Sequence, residues 1–370
     1  METLFTINKS VQAGDFDYAE MLLLAPLMKK MRKMVMPYFW TFESIIKNEI
    51  DTNDIREALT KIGYTTTFNG NWTYMLTKNC LVTLVAGRIN ETTQFCKYTF
   101  SIFATSRPHL YAMRDTLRNI VTNVQPELIC ETRWYYGTGS YDYESIFETM
   151  EDTIVPQAYP FIANLESTIQ EYARSNESIL LLIGEPGTGK SRLIRYIIRQ
   201  MAKVQQTQHI KVYYTSNATL LNGDSIYSDF RTSDASAFIL EDADLHLSSR
   251  ADGNDVMTKL LSSSDSFISA STNKKIILTT NLASLNGTDD ALLRPGRCFG
   301  VIETRKFTRN EAQRFFEAIA PGRNIVLENE LYTLAELYRL LSPHADSVRQ
   351  LSDSARYKLA SKRSMGFAAV

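Results

Sequence analysis

The sequence is poor in the residues that would mark a stapled, metal-bound or membrane-inserted chain. It has four cysteines in 370 residues (Cys80, Cys96, Cys130 and Cys298), none in CxxC spacing, and four histidines (His109, His209, His246 and His344) that stand apart. That scatter excludes a disulfide framework and the paired ligands of a zinc site. Charge of either sign has no surplus: 40 Lys and Arg against 41 Asp and Glu leave a formal net charge of −1. A chain whose affinity came mainly from coating nucleic acid needs a basic excess, so only a local basic patch is left open. Long apolar runs are missing too. The longest early stretch, Met21 to Met28, is eight residues with Pro26 inside it, too short to span a bilayer. The first residues lack a signal-peptide layout, and Asn-x-Ser/Thr sites at Asn71, Asn90 and Asn217 carry no secretory meaning without one. The expectation is a reducing, cytoplasmic compartment.

What is present divides the chain in two. Up to about residue 150 the texture is mixed. Asp17 to Met36 has apolar positions at helical spacing (Leu24, Leu27, Met28, Met31, Met34, Val35) with Lys29 and Lys33 opposite, an amphipathic helix expected to face a core rather than a membrane surface. Thr73 to Ala86 and Gln94 to Ala104 are rich in β-branched and aromatic residues and flank Gly87-Arg88-Ile89-Asn90, which predicts a hairpin. His109 to Val124 reads as a further helix. Arg133-Trp134-Tyr135-Tyr136, followed by Gly137, Gly139 and Tyr141, is an aromatic patch suited to packing, with base stacking or a partner contact as the alternative. The expected α+β N-terminal domain is residues 1–150. Val155-Pro156 and Tyr159-Pro160 mark an extended connection, and the helix Leu165 to Arg174 follows. Strands at Ile179–Ile183, Ile210–Tyr214, Ala237–Leu240, Lys275–Thr279 and Gly300–Glu303 then alternate with helices. That order predicts an α/β fold with a doubly wound, mainly parallel five-stranded sheet, whose ligands sit at the carboxyl ends of the strands.

The most specific local signal follows the first of these strands. Gly184, Glu185, Pro186, Gly187, Thr188, Gly189, Lys190 and Ser191 form a complete GxxxxGK[ST] phosphate loop. Its glycines let successive backbone N–H groups turn toward phosphate oxygens, Lys190 neutralises the β- and γ-phosphates, and the Ser191 hydroxyl ligates Mg²⁺. The helix from Lys190 to about Lys203, with Arg192 in its first turn, presents its positive end to the same anion. Ala237–Leu240 ends in Glu241-Asp242-Ala243-Asp244. Acids in this position, Glu241 and Asp242, hold Mg²⁺ through its water shell and polarise an attacking water. Asn281 closes the strand Lys275–Thr279, where its amide would orient that water or touch the γ-phosphate. Arg294 and Arg297 lie three apart around Pro295-Gly296. They are rigid bidentate donors for a phosphate arriving from outside the subunit.

In order, Gly184 to Ser191, Leu240 to Asp244, Thr279-Thr280-Asn281 and Ala291-Leu292-Leu293-Arg294-Pro295-Gly296-Arg297 resemble the signature of AAA+ ATPases, over roughly residues 156 to 365. The Leu-Glu-Asp-x-Asp order and Leu260-Leu261 are most similar to the branch containing the mitochondrial Rieske-protein translocase, and the compact layout is similar to AAA+ ATPases encoded by bacteriophages. The resemblance implies a P-loop AAA+ core, with the large ATPase subdomain at 151–308 and a helical lid at 309–370. It implies ATP with Mg²⁺ as the bound pair, Glu241 at the metal-associated position and Asp242 at the catalytic-base position. Asn281 falls on the first sensor, and Arg294 and Arg297 on fingers acting in trans. It further implies a homo-oligomeric ring of about six or seven copies.

The departures matter equally. Most members carry Asp-Glu where this chain has Glu-Asp, and Asp242 has the shorter reach, which favours slow hydrolysis. No transmembrane segment accompanies the core, so membrane translocation is not inherited. The stretch from Leu220 to Tyr227 lacks the aromatic-Val-Gly grip of threading unfoldases, leaving Tyr227 as a weak substitute, and Arg349 falls where a second sensor would sit. The resulting expectation is a ring-forming ATP hydrolase that remodels or moves a protein client through its N-terminal domain. One alternative is a nucleic-acid motor or loader using Lys29, Lys30, Arg32, Lys33 and the Trp134 patch. Another is a scaffold that ATP holds together.

Overall fold

The structure, a computed structural model, describes residues 36–47, 52–68, 72–89, 95–125, 127–136, 142–150, 154–247, 254–263, 274–281, 290–323 and 325–341. The helix expected at Asp17 to Met36 and the lid position Arg349 lie essentially outside them. So do the cluster Lys29 to Lys33 and residues 137–141 of the aromatic patch.

The first part is an antiparallel sheet with helices on one face. Its elements are β1 (Tyr38–Lys47), α1 (Thr52–Thr60), β2 (Tyr64–Phe68), β3 (Trp72–Leu76), β4 (Cys80–Arg88), β5 (Phe95–Ala104) and α2 (Arg107–Val124), with strand order β1-β5-β4-β3-β2. Along β5 the side chains of Tyr98, Phe100, Ile102 and Ala104 are buried at every second position, the period of a sheet covered on one side. They meet Leu110, Met113, Leu117 and Val121 of α2, which recur every three or four residues as a helix stripe requires. Ser106 caps α2 by accepting from the His109 amide, with Pro108 in the first turn. The hairpin expected across Gly87-Arg88 forms, but those two residues belong to β4 itself. Thr73 to Ala86 is two strands rather than one, because the Thr77 hydroxyl accepts from the amides of Asn79 (3.3 Å) and Cys80 (2.9 Å) and turns the chain there.

The second part is the expected α/β core with two strands more than the five anticipated. Its elements are β6 (Leu128–Tyr135), β7 (Tyr143–Met150), α3 (Leu165–Arg174), β8 (Ile179–Ile183), α4 (Lys190–Gln205), β9 (His209–Thr215), α5 (Ala218–Leu221), α6 (Ser225–Thr232), β10 (Ala237–Leu240), α7 (Asp255–Ser263), β11 (Lys275–Thr280) and β12 (Cys298–Glu303). The strand order is β12-β8-β11-β10-β9-β6-β7; β6 pairs parallel to β9, and β7 alone runs antiparallel. Residues 128–150 therefore extend this sheet, although they precede the boundary expected near 150. The physical reason is an ion cluster that makes β6 look polar. Glu131, Arg133 and Tyr135 point to one face, where Glu131 meets Arg133 Nε (3.2 Å), His209 Nε2 (3.3 Å) and Lys211 Nζ (3.6 Å). Burial pushes Glu131 up, but the His209 hydrogen bond and the charges of Lys211 and Arg133 hold it down at about 2.

The central strands β8, β10 and β11 are buried throughout, as parallel strands covered on both faces are. One layer packs Ile169, Leu193 and Ile197 against Leu180 and Leu182; the other packs Ile226, Phe230 and Leu260 against Leu181 and Phe238. The first layer also takes in the C-terminal elements β13 (Phe307–Thr308), α8 (Arg309–Ile319), β14 (Leu331–Tyr332) and α9 (Leu334–Leu340), through Phe315, Leu334 and Leu337. Both helices begin with a capping box, Thr308 with Glu311 and Thr333 with Glu336. The two sheets touch where Ile45 and Phe95 pack with Ile129 and Phe147, beside the Lys47–Glu127 ion pair at 2.7 Å. No helix among the described residues is long and apolar enough to cross a membrane.

Candidate triphosphate site

At the carboxyl end of β8 the chain makes a loop that only glycine fits at two points. Gly184, Gly187 and Gly189 have φ of 147°, 81° and 102°, values that side chains disfavour. A Cβ at Gly184 would stand 2.1 Å from the carbonyl oxygen of Thr304, and one at Gly189 would stand 2.5 Å from Leu334 Cδ2. The loop is braced from behind by Thr188, whose hydroxyl donates to the Glu185 carbonyl (2.7 Å) and touches Thr304 Oγ1 (2.7 Å). Thr304 in turn donates to the Ile183 carbonyl at 3.0 Å.

Lys190, at the start of α4, is buried. Its ammonium donates to the carbonyls of Gly184 (2.5 Å) and Glu185 (3.2 Å) and to Asn281 Oδ1 (2.8 Å). Burial pushes its pKa down, while the charges of Asp242, Asp244 and Glu241 pull it back. The next residue, Ser191, donates to Glu241 Oε1 at 2.5 Å, and Tyr214 on β9 donates to Glu241 Oε2 at 2.9 Å. Burial, then the Glu241 charge, pushes the Tyr214 phenol up to about 12.

Asp242 adopts φ 52° and ψ 45°, the left-handed region that Asp tolerates better than most residues. Its amide donates to Thr279 Oγ1 (3.0 Å), and Asn281 Nδ2 donates to its Oδ1 (2.9 Å). Asn281 is fixed in turn by its own amide, which donates to Asp244 Oδ1 at 2.8 Å, and Asp244 also accepts from the Thr280 hydroxyl. Asn281 thus stands between Lys190 and Asp242, one amide end on each.

The C-terminal elements, together with Tyr159 from the segment before α3, close over the loop. Ala335 N donates to the Gly187 carbonyl (3.0 Å), Tyr159 OH to the Gly189 carbonyl (2.9 Å), and Lys306 pairs with Glu185 (2.6 Å). Arg192 lies 4.0 Å above the ring of Tyr338, while Pro186 stays exposed.

Arg294 and Arg297 are not brought to this cluster. They precede β12, which runs parallel to β8 with Cys298 opposite Ile179 and Glu303 opposite Ile183; the Arg297 carbonyl accepts from the Ile179 amide at 2.9 Å. The arginines therefore sit where β8 begins, and the phosphate loop where it ends. At about 3.3 Å per residue the separation is roughly 16 Å. Ala291 and Leu292 are buried and anchor the turn, leaving Arg294 exposed.

Two expectations need correction. Tyr227 is buried with its hydroxyl on the Leu221 carbonyl (3.0 Å), so it cannot grip a polypeptide. The aromatic patch divides by strand alternation: Tyr135 is buried with its hydroxyl on Asp229 (2.9 Å), whereas Trp134 and Tyr136 are exposed. Thr304, Tyr214, Tyr159 and Leu334 join the site without any local pattern to announce them.

Residues 180–306, from β8 through β12, match the model of the ATPase family associated with various cellular activities (AAA). Over this segment, about a third of the chain, the protein is similar to that family and has the α/β core of a phosphate-loop domain. No curated protein matches the chain.

Proposed function

We propose that this chain is an ATP hydrolase in which one copy cradles the triphosphate and the next completes the site. The observation that carries this reading is a single hydrogen-bonded cluster. Ser191 lies on Glu241, Lys190 on Asn281 and Asn281 on Asp242, at the carboxyl ends of two adjacent strands, β10 and β11, and the start of one helix.

The donor set suits Mg²⁺. Among the described residues no group of three His, Cys, Asp or Glu side chains could hold a metal, and Mg²⁺ in nucleotide sites takes only one or two protein oxygens plus phosphates and water. Ser191 and Glu241 would hold it with such oxygens, and Asp242 stands next to Glu241 in the chain. The metal would supply charge neutralisation on the β- and γ-phosphate oxygens.

The loop amides and Lys190 bind the triphosphate, with Arg192 in the first helical turn beside it. Lys190 exchanges its two loop carbonyls for phosphate oxygens. Asp242 accepts a proton from water as the water oxygen bonds to the γ-phosphorus and the bond to the β,γ-bridging oxygen breaks, releasing ADP. Asn281 orients that water or Asp242 itself. Arg294 and Arg297, out of reach of their own loop, stabilise the charge on the neighbouring copy's transferring phosphoryl group. A ring of about six or seven copies satisfies this head-to-tail demand. Movement of the C-terminal helices over Gly187 and Gly189 would pass to the N-terminal sheet, which we assign to a protein client.

The test is phosphate release from ATP with Mg²⁺, repeated with Asp242→Asn. The wild type should turn over, and the variant should bind ATP but release phosphate at least about 100-fold more slowly. Equal rates would remove Asp242 from the reaction. Stimulation by single-stranded DNA rather than by protein would favour a nucleic-acid client.

A further inference from the structure

The ATPase sheet exposes apolar side chains at two opposite edges. On the β6–β7 ribbon, Trp134 (41 % exposed), Tyr136 (55 %) and Ile146 (44 %) are uncovered. The rings of Trp134 and Tyr136 meet edge-on with centroids 5.8 Å apart. Trp134 pairs with Glu144, and Thr132, two residues before it, pairs with Ile146, so all these side chains share one face. At the other edge, Leu293 (37 %) precedes Arg294, and Val301 (40 %) lies on β12.

Each edge sits beside half of a composite site. Trp134 is in register with Tyr214, whose hydroxyl holds Glu241. Leu293 adjoins the exposed arginine. We propose that Trp134, Tyr136 and Ile146 are the docking surface for a second copy of this chain, which seats its corner Leu293 to Arg297 on them. This inference rests on the reading that Arg294 and Arg297 act on a neighbour's triphosphate.

Area, chemistry and symmetry all favour this occupant. The first is area: a stable interface covers about 800 Å² per partner, a disc of roughly 16 Å radius. Trp134 lies two strands from the Glu241 strand, about 10 Å. A partner seated over the Glu241 side of the site therefore covers Trp134. The second is chemistry: Trp and Tyr concentrate binding energy at interface centres. The third is symmetry. The two surfaces lie on opposite edges of one sheet, the arrangement a head-to-tail contact requires.

The experiment uses the full chain with ATP and Mg²⁺ in sedimentation velocity. The wild type should associate, and Trp134→Ala/Tyr136→Ala should shift the association midpoint upward by about 10-fold or more, while each copy binds nucleotide as before. A second measurement needs no loss of assembly: differently tagged copies carrying Tyr136→Cys and Leu293→Cys are mixed and treated with a short bismaleimide, single-variant samples serving as controls. A cross-link joining the two tags only in the mixture is the expected result. If the wild type assembles, and the double variant assembles at the same midpoint with no such cross-link, the docking surface is wrong and the trans arginines survive. A wild type that stays monomeric overturns both readings.

Discussion

Mixing two inactive variants should restore activity that neither has. The perturbation pairs Arg294→Ala/Arg297→Ala with Lys190→Ala. The register of β12 on β8 puts the arginines at the start of β8 and the phosphate loop at its end, roughly 16 Å apart at 3.3 Å per residue. An arginine side chain extends about 7 Å from its Cα, so neither guanidinium reaches its own loop. Arginines that act on a neighbour's phosphoryl group contribute about 10³ to 10⁵ in kcat, and each variant alone should fall by at least about 10³. In a random equimolar mixture, about one interface in four joins an intact loop from the arginine-deficient copy to intact arginines from the Lys190→Ala copy. Phosphate release at saturating ATP and Mg²⁺ should therefore peak at equal proportions, near a quarter of wild-type turnover. A mixture that equals the weighted sum of its parents at every ratio would refute the trans geometry.

The remaining predictions concern the cradle, its metal side and the ion cluster. Gly184→Ala places a Cβ against the Thr304 carbonyl at a strained φ, and should cost about 2 kcal/mol or more, read as a lower urea midpoint without nucleotide. Tyr214→Phe removes the hydroxyl that orients Glu241; Mg²⁺ activation should weaken by about 10-fold while metal-free ATP binding is unchanged. Glu131 is held at about 2 against its ordinary 4.5. A depressed carboxylate stabilises the fold above its unfolded pKa, and that stability is lost as pH falls from about 4.5 to 2. The contribution at neutral pH is on the order of 3 kcal/mol, so Glu131→Gln should lower the urea midpoint at pH 7 and flatten its decline between pH 5 and 2.

How much of this could be read from the chain varies with physical cause. Ile179–Ile183, Ala237–Leu240 and Ile276–Leu278 are legible because strands buried on both faces need continuous apolar side chains. The phosphate loop is legible because one local stretch must supply its own glycines, Lys190 and Ser191. β6 is not, since Glu131 and Arg133 face inward, where Glu131 pairs with Arg133 and meets His209 and Lys211 from the neighbouring strand, contacts that exist only after the sheet forms. Thr304 and Leu334 likewise reach Gly184 and Gly189 across more than a hundred residues, through tertiary packing that no spacing rule records. The spacing of Arg294 and Arg297 is visible in the sequence; their place at the far end of the sheet is not.

The central claim is that a triphosphate occupies the loop from Gly184 to Ser191, and the most direct measurement is equilibrium binding of ATP to the wild type and to Lys190→Ala. Removing a charge-assisted contact of this kind should weaken affinity by about 10- to 100-fold, with the variant's circular dichroism unchanged. Equal affinity in a folded Lys190→Ala chain would contradict the account.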